Sequence, residues 1–254
     1  MTKSSLYQPR IYREMMGNDR WKSFRAGHLE TDLWIAVTAA LFTPAVKPFS
    51  MDRILFYRDL LERHIREYPD FLDSLVPLHA PDNLHPLINE MYEASRSAGT
   101  GPMSAVAGAV AEHICLDLVE EFRFPEVVVE NGGDIFMKLE SPAILSVFAG
   151  SSRLSDKIGL SIKPEQTPLS VCCSSGTIGH SMSFGTADAC VIACRSGALA
   201  DAYATAFCNR VTSIGMIDET TEKALKIPEI LSVVIIKDDK AGIGGCIEVK
   251  ILKD

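Results

Sequence analysis

Three short segments carry the residue types from which a ligand site is built. In Ala200-Asp201-Ala202-Tyr203-Ala204-Thr205 the acid and the hydroxyl stand four apart, so on a helix both oxygens project from one face, about one turn from each other. A hard cation such as Mg2+ takes a few protein oxygens and completes its octahedron with water and substrate phosphate, which suits one carboxylate and one hydroxyl on a rigid helix. The same pair also reads as a dipole-favoured acid near a helix start with a space-filling threonine behind it. Asn131-Gly132-Gly133-Asp134, between two apolar runs, joins glycines that allow close backbone approach to two polar side chains, and equally describes a hairpin turn. Ser174-Ser175-Gly176-Thr177-Ile178-Gly179-His180 closes an apolar strand. Its hydroxyls, glycine amides and imidazole suit a phosphate or a flavin edge, or a polar strand exit.

Other patterns carry less chemistry. Gly242-Ile243-Gly244-Gly245 is followed by an apolar strand rather than a helix, so the helix terminus of a dinucleotide fold is missing. Cys172 and Cys173 are adjacent in a strand and point to opposite faces, which prevents chelation by the pair. Cys190 and Cys194 lie in a strand with no histidine at a zinc-type spacing. His113 reads as a hydrogen-bonded core or interface histidine.

The elements that must position these residues follow from apolar period and breakers. Leu33–Val37 is a strand ahead of Pro44 and Pro48. From Ser50, a plausible N-cap, Ile54, Tyr57, Leu61, Ile65 and Tyr68 recur at helical spacing until Pro69. A second helix carries Leu84, Leu87, Ile88, Met91 and Tyr92 and ends at Gly99, with Pro86 in its first turn. Ser104–Val119 is a helix of small residues suited to close packing on a sheet or on a second subunit. Strands are expected at 127–130, 135–138, 145–148, 158–162, 169–173 and 189–193, then a helix at 198–210. Two last strands, 231–236 and 246–251, flank a turn at 238–242. Gly108-Ala-Val-Ala-Glu112 in the first small-residue helix is echoed by Gly197-Ala-Leu-Ala-Asp201 in the second, through shared composition or a duplicated helix-plus-sheet unit. The fold class is α+β, with antiparallel or mixed sheets and packed helices. A single domain, 1–254, is expected, mainly helical over 1–100 and sheet-rich over 101–254, where the site residues fall.

Composition bounds the partners. The chain has 254 residues, 47% of them hydrophobic, and a net charge of −8, so a nucleic-acid grip built on a basic face is not expected. No apolar run approaches the roughly 20 residues of a membrane span, and the amino terminus has no apolar export signal. Seven irregularly spaced cysteines in apolar segments fit reduced core thiols. Together these features predict a cytoplasmic protein without membrane or nucleic-acid partners.

Taken in order, Gly132-Gly133-Asp134-Ile135 after a strand, Ser175-Gly176 ending a strand, and Ala200-Asp201 with Thr205 after another resemble the carboxy-terminal half of the ApbE family, the FAD:protein FMN transferases. The resemblance covers about residues 104–210. It implies an ApbE-like fold, with Asn131, Gly132, Gly133, Asp134, Ser174, Ser175 and Gly176 lining a flavin or related nucleotide. It also implies Mg2+ on Asp201 and Thr205 at the FAD pyrophosphate, where an acceptor-protein hydroxyl attacks and AMP leaves; Asp201, Thr205 and His180 would carry the chemistry. The chain departs from the family at defined places. Ala107-Gly108 stands where a Lys-Gly pair is usual. His180-Ser-Met-Ser-Phe-Gly-Thr-Ala-Asp188 stands in place of a His-Ile-x-Asp-Pro segment, and the amino-terminal Arg-Tyr-Ser signature has no counterpart. The pattern is closer to an uncharacterised ApbE-like branch of bacteria and archaea, either retaining flavin transfer or binding a small molecule in the same cleft without catalysis.

Overall fold

The computed structural model describes residues 19–177 and 184–252. Eight strands form one antiparallel sheet in the order β1-β2-β3-β4-β7-β8-β9-β10. They are β1 (Trp21–His28), β2 (Thr31–Thr38), β3 (Val127–Asn131), β4 (Asp134–Lys138), β7 (Leu169–Ser174), β8 (Ala189–Cys194), β9 (Ser232–Lys237) and β10 (Lys240–Gly245). A second sheet, in the order β11-β6-β5, contains β5 (Ala143–Ser146), β6 (Ile158–Ile162) and β11 (Glu248–Ile251). The α-helices of the described residues are α1 (Val46–Glu67), α2 (Asp70–Asp73), α3 (Pro86–Ala98), α4 (Val106–Phe122), α5 (Gly197–Arg210) and α6 (Ile217–Leu225).

The large sheet is the middle layer, which explains why its inner strands read as unbroken apolar runs rather than alternating ones. In β2, Leu33, Ile35 and Val37 pack toward the helices while Trp34 and Ala36 join the core shared with the small sheet. In β8, Cys190, Ile192 and Cys194 face α5 and α6, and Ala189, Val191 and Ala193 face the other way. Cys172 and Cys173 likewise fall into cores on opposite sides of the sheet. The helix-side core is built on Ile54, Met91, Ile114 and Leu118. The mixed α+β architecture and antiparallel pairing agree with the sequence reading.

Several boundaries differ. Ser50 is not a cap but a buried residue inside α1, whose Oγ donates to the Val46 carbonyl at 2.8 Å. β1 is an additional strand in which only Phe24 and Ala26 are buried, so its sequence shows little apolar pattern. The expected turn at 238–242 is confined to its start, and the glycine-rich Lys240–Gly245 is an edge strand. Two of its glycines lie close under α6: a Cβ on Gly242 would stand 2.2 Å from Thr221 Oγ1, and one on Gly244 2.5 Å from Leu225 Cδ1. The last strand begins at Glu248 and pairs in the small sheet. α3 starts at Pro86 and ends before Gly99, whose φ of 73° makes the left-handed cap.

Pro102–Phe122 is, among the described residues, the one helical stretch long and apolar enough to cross a membrane by length and composition. Here it lies against the sheet, with Ala109, Ala111, Ile114, Cys115 and Leu118 inaccessible to solvent. Its His113 lies 2.8 Å from a Glu90 carboxylate oxygen, the hydrogen-bonded histidine expected from sequence.

Candidate functional site

The Gly132-Gly133 pair is the two-residue turn joining β3 to β4, with φ values of 70° and 108° that glycine adopts without strain. The turn is tied inward. Gly133 N donates at 2.7 Å to Oε1 of Glu130, a fully buried acid on β3. Asn131 Nδ2 donates at 3.1 Å to the carbonyl of Ala107 at the start of α4. Asp134 then opens β4, where its Oδ1 accepts from the Cys173 amide of β7 at 3.1 Å. Asn131-Gly132-Gly133-Asp134 is therefore a hairpin turn whose polar groups also bind two neighbouring elements, α4 and β7.

The first turns of α4 and α5 meet at two glycines. A Cβ on Gly108 would stand 2.2 Å from the Gly197 carbonyl oxygen, and a Cβ on Gly197 2.2 Å from that of Gly108, so no side chain fits at either place. Amides in a helix's first turn lack intrahelical partners, and here each helix supplies the acceptor for the other. Asp201 on α5 accepts from Gly108 N at 2.9 Å, and Glu112 on α4 accepts from Gly197 N at 2.6 Å. Each acid is one turn beyond its own glycine, so the five-residue echo in the sequence has a reciprocal helix–helix clasp as its counterpart.

Asp134 and Asp201 are both more than nine-tenths buried. Burial raises both carboxyls, and the charge of Asp201 further raises Asp134, well above the usual range. Asp201 is pushed up to about 7 by burial, partly offset by the Gly108 and Ala107 amides. Glu112 also moves to about 7, chiefly through burial, with the Glu90 charge pushing up and the Gly197 amide and His113 pulling down. Cys172 lies beneath the pair and stays a thiol, because burial and then the Asp134 and Asp201 charges raise it. Burial and mutual repulsion thus disfavour two ionised carboxylates side by side here.

The other expected residues are placed less centrally. Ser174 ends β7, alongside the glycine turn; a Cβ on Gly133 would be 3.7 Å from the Cys173 carbonyl. Ser175 caps its own turn by accepting from Thr177 N at 3.1 Å, and Thr177 Oγ1 donates to Asp188 at 3.1 Å. Gly176 packs on Gly185, where a Cβ would be 2.2 Å from the carbonyl oxygen. Thr205 is half-buried on α5, one turn past Asp201. His180 lies outside the described residues. Asn131, Gly133, Asp134 and Asp201 therefore converge on Ala107-Gly108 and β7, with Ser174 at the margin and Ser175 and Gly176 turned toward the 184–188 loop. Glu112 and Glu130 were missed from sequence. The echo around Glu112 was its only signal, and Glu130 looked like the polar end of an apolar strand.

Asp201 and Thr205, one turn apart on α5, and the nearby Asp134 offer only oxygen donors, the donor chemistry that a hard cation such as Mg2+ takes. Among the described residues, no cluster of three or more His, Cys, Asp or Glu residues is arranged as a self-sufficient metal cage.

The profile of the family described as "AbpE bacteria" matches residues 13–226. A UPF0280 protein of Methanocaldococcus jannaschii is 38% identical over 197 residues, covering 76% of this chain and 79% of that protein. One from Methanosarcina barkeri is 35% identical over 195 residues, 76% of each chain. Among solved structures, the ApbE protein of Thermotoga maritima aligns with a TM-score of 0.51 at 13% identity, covering 90% of this chain and 96% of its own. The apo flavinyl transferase ApbE of Pseudomonas stutzeri aligns at 0.50 with 9% identity, covering 88% and 94%. At these identities the two structures establish the likeness of fold.

Proposed function

This chain belongs to the AbpE bacteria family, and on that premise we propose that it binds a flavin or a related phosphate-bearing nucleotide, FAD being the first candidate, together with Mg2+. The observation that carries the reading is the approach of Asp134 and Asp201, two buried carboxyls from different elements, at the place where the glycine turn and the starts of α4 and α5 converge. Asp201 and Thr205 would hold the metal, with Asp134 beside them. Mg2+ supplies positive charge against ligand phosphates, which a chain of net charge −8 otherwise lacks. Asn131 and Glu130 hold the Gly132-Gly133 turn at the ligand's edge, and Ser174 borders it. Because both halves of the chain contribute strands to one sheet, we treat residues 1–254 as one functional domain. A cytoplasmic setting belongs to the same reading, supported by cysteines built mostly into the core.

If transfer is retained, an acceptor-protein hydroxyl oxygen bonds to the flavin-side phosphorus, the bond to the AMP half breaks, and AMP leaves with the electron pair. The hydroxyl proton passes to solvent. One observation favours binding without transfer: Ala107-Gly108 offers no cation where the ApbE resemblance places a lysine, and Gly108 instead occupies one Asp201 oxygen. The visible spectrum of desalted protein after incubation with FAD and Mg2+, followed by an AMP assay, decides between them. Yellow protein with AMP is transfer, yellow protein without AMP is binding, and colourless protein removes the flavin reading.

A further inference from the structure

Resting on that reading, we propose that Glu112 is a positioning residue for the metal-binding carboxylate of Asp201, acting through the first turn of α5. The two do not need to touch. Glu112 Oε2 accepts from Gly197 N at 2.6 Å, and Gly197 is the first residue of α5, one turn ahead of Asp201. The same residue is held from its other side: its carbonyl accepts from the Cys172 thiol at 3.8 Å and abuts Gly108. Gly197 cannot shift toward α4, since even a Cβ there would lie 3.1 Å from Glu112 Cβ and 2.2 Å from the Gly108 carbonyl oxygen. Ser196, the N-cap, contributes a weaker bond of 3.4 Å to Leu199 N. The bond accepted by Glu112 is thus the shortest of the three that fix the rotation of this turn, and that rotation sets where the Asp201 oxygens point.

The clasp is reciprocal in geometry and divided in role. Asp201 has Asp134 as a close acidic neighbour, whereas Glu112 lies on the α3 side, with Glu90 and His113 about it. Glu112 therefore contributes no atom to the metal but fixes the element that carries one.

The test compares Glu112→Ala, Glu112→Asp and Glu112→Gln with Asp201→Ala, measuring FAD binding by fluorescence across a Mg2+ titration and again in EDTA. Glu112→Ala should raise the Mg2+ midpoint about tenfold, the scale of one lost hydrogen bond, with FAD affinity in EDTA changed less than about twofold. Glu112→Gln keeps an acceptor for Gly197 N and should stay close to wild type. Glu112→Asp withdraws the acceptor by one methylene and should fall between, so it serves if the alanine variant does not fold. A folded Glu112→Ala or Glu112→Asp protein with the wild-type midpoint, while Asp201→Ala loses Mg2+ dependence, overturns the positioning role. If Asp201→Ala itself keeps full Mg2+ dependence, the metal reading fails instead.

Discussion

The Gly108 amide donates to the Asp201 carboxylate at 2.9 Å, joining helices whose contact residues lie 93 positions apart in the chain. With Glu112 returning the same bond to Gly197, the starts of α4 and α5 form one rigid corner. The glycine turn before β4 and the end of β7 are assembled against it.

Filling that corner should be costly. Gly108→Ala and Gly197→Ala each place a methyl 2.2 Å from a backbone carbonyl oxygen, and backbone on both sides leaves no flexible group to yield. We expect each to lower unfolding free energy in urea by about 1–3 kcal/mol or more. Gly215→Ala, whose Cβ would meet nothing nearer than 3.9 Å, is the control and should stay within about 0.5 kcal/mol of wild type. Equal effects at all three positions would contradict the close-contact account.

Glu112 makes stability depend on pH in a direction opposite to that of an ordinary ion-paired acid. Its folded value, about 7, lies above the ordinary glutamate value of 4.5, so between these values the folded protein holds more protons than the unfolded chain. Its contribution is fully present below about pH 4.5 and is lost as pH rises through about 7. The facing groups are Glu90 and His113 on the helices and the Gly197 amide. Wild type minus Glu112→Gln, followed as thermal midpoint from pH 5 to 8, should decline toward high pH. A flat difference would refute the buried-acid assignment.

Glu126 should show the reverse. Burial alone would raise it, but Arg20, which bonds both its oxygens, and the amides of Glu140 and Ser141 hold it down at about 2. Its contribution is present above about pH 4.5 and is lost as pH falls through about 2. Glu126→Gln should therefore cost about 1.5–3 kcal/mol at pH 7 and narrow the gap to wild type in acid, as read by denaturant unfolding at pH 7 and pH 3. An unchanged gap would count against the Arg20 pair.

What the sequence disclosed follows from which interactions are local. The doubly buried strands were legible because both their faces are apolar, and α3 because Pro86 and Gly99 mark its ends. Lys240–Gly245 was hidden, since its strand character comes from α6 side chains filling the space above Gly242 and Gly244, which no local pattern records. Ser50 looked like a cap because hydroxyls favour helix starts, yet its own bond to Val46 satisfies it inside the helix. At the site, Asp134 and Asp201 were visible by residue type. Glu112 was not: its partner Gly197 is 85 positions away, and one acid among the four of α4 gives no hint of burial. Only the repeated Gly-Ala-x-Ala-acid pattern carries that information, and shared composition by itself accounts for such an echo.

The central claim, that Asp201 anchors a divalent cation serving a flavin nucleotide, is tested most directly by the FAD dissociation constant with and without Mg2+ in wild type and Asp201→Ala. The account predicts that Mg2+ tightens FAD binding at least about tenfold in wild type and has no effect in the variant, which still folds. Equal Mg2+ dependence in both proteins, or no FAD binding by the wild type under either condition, would contradict it.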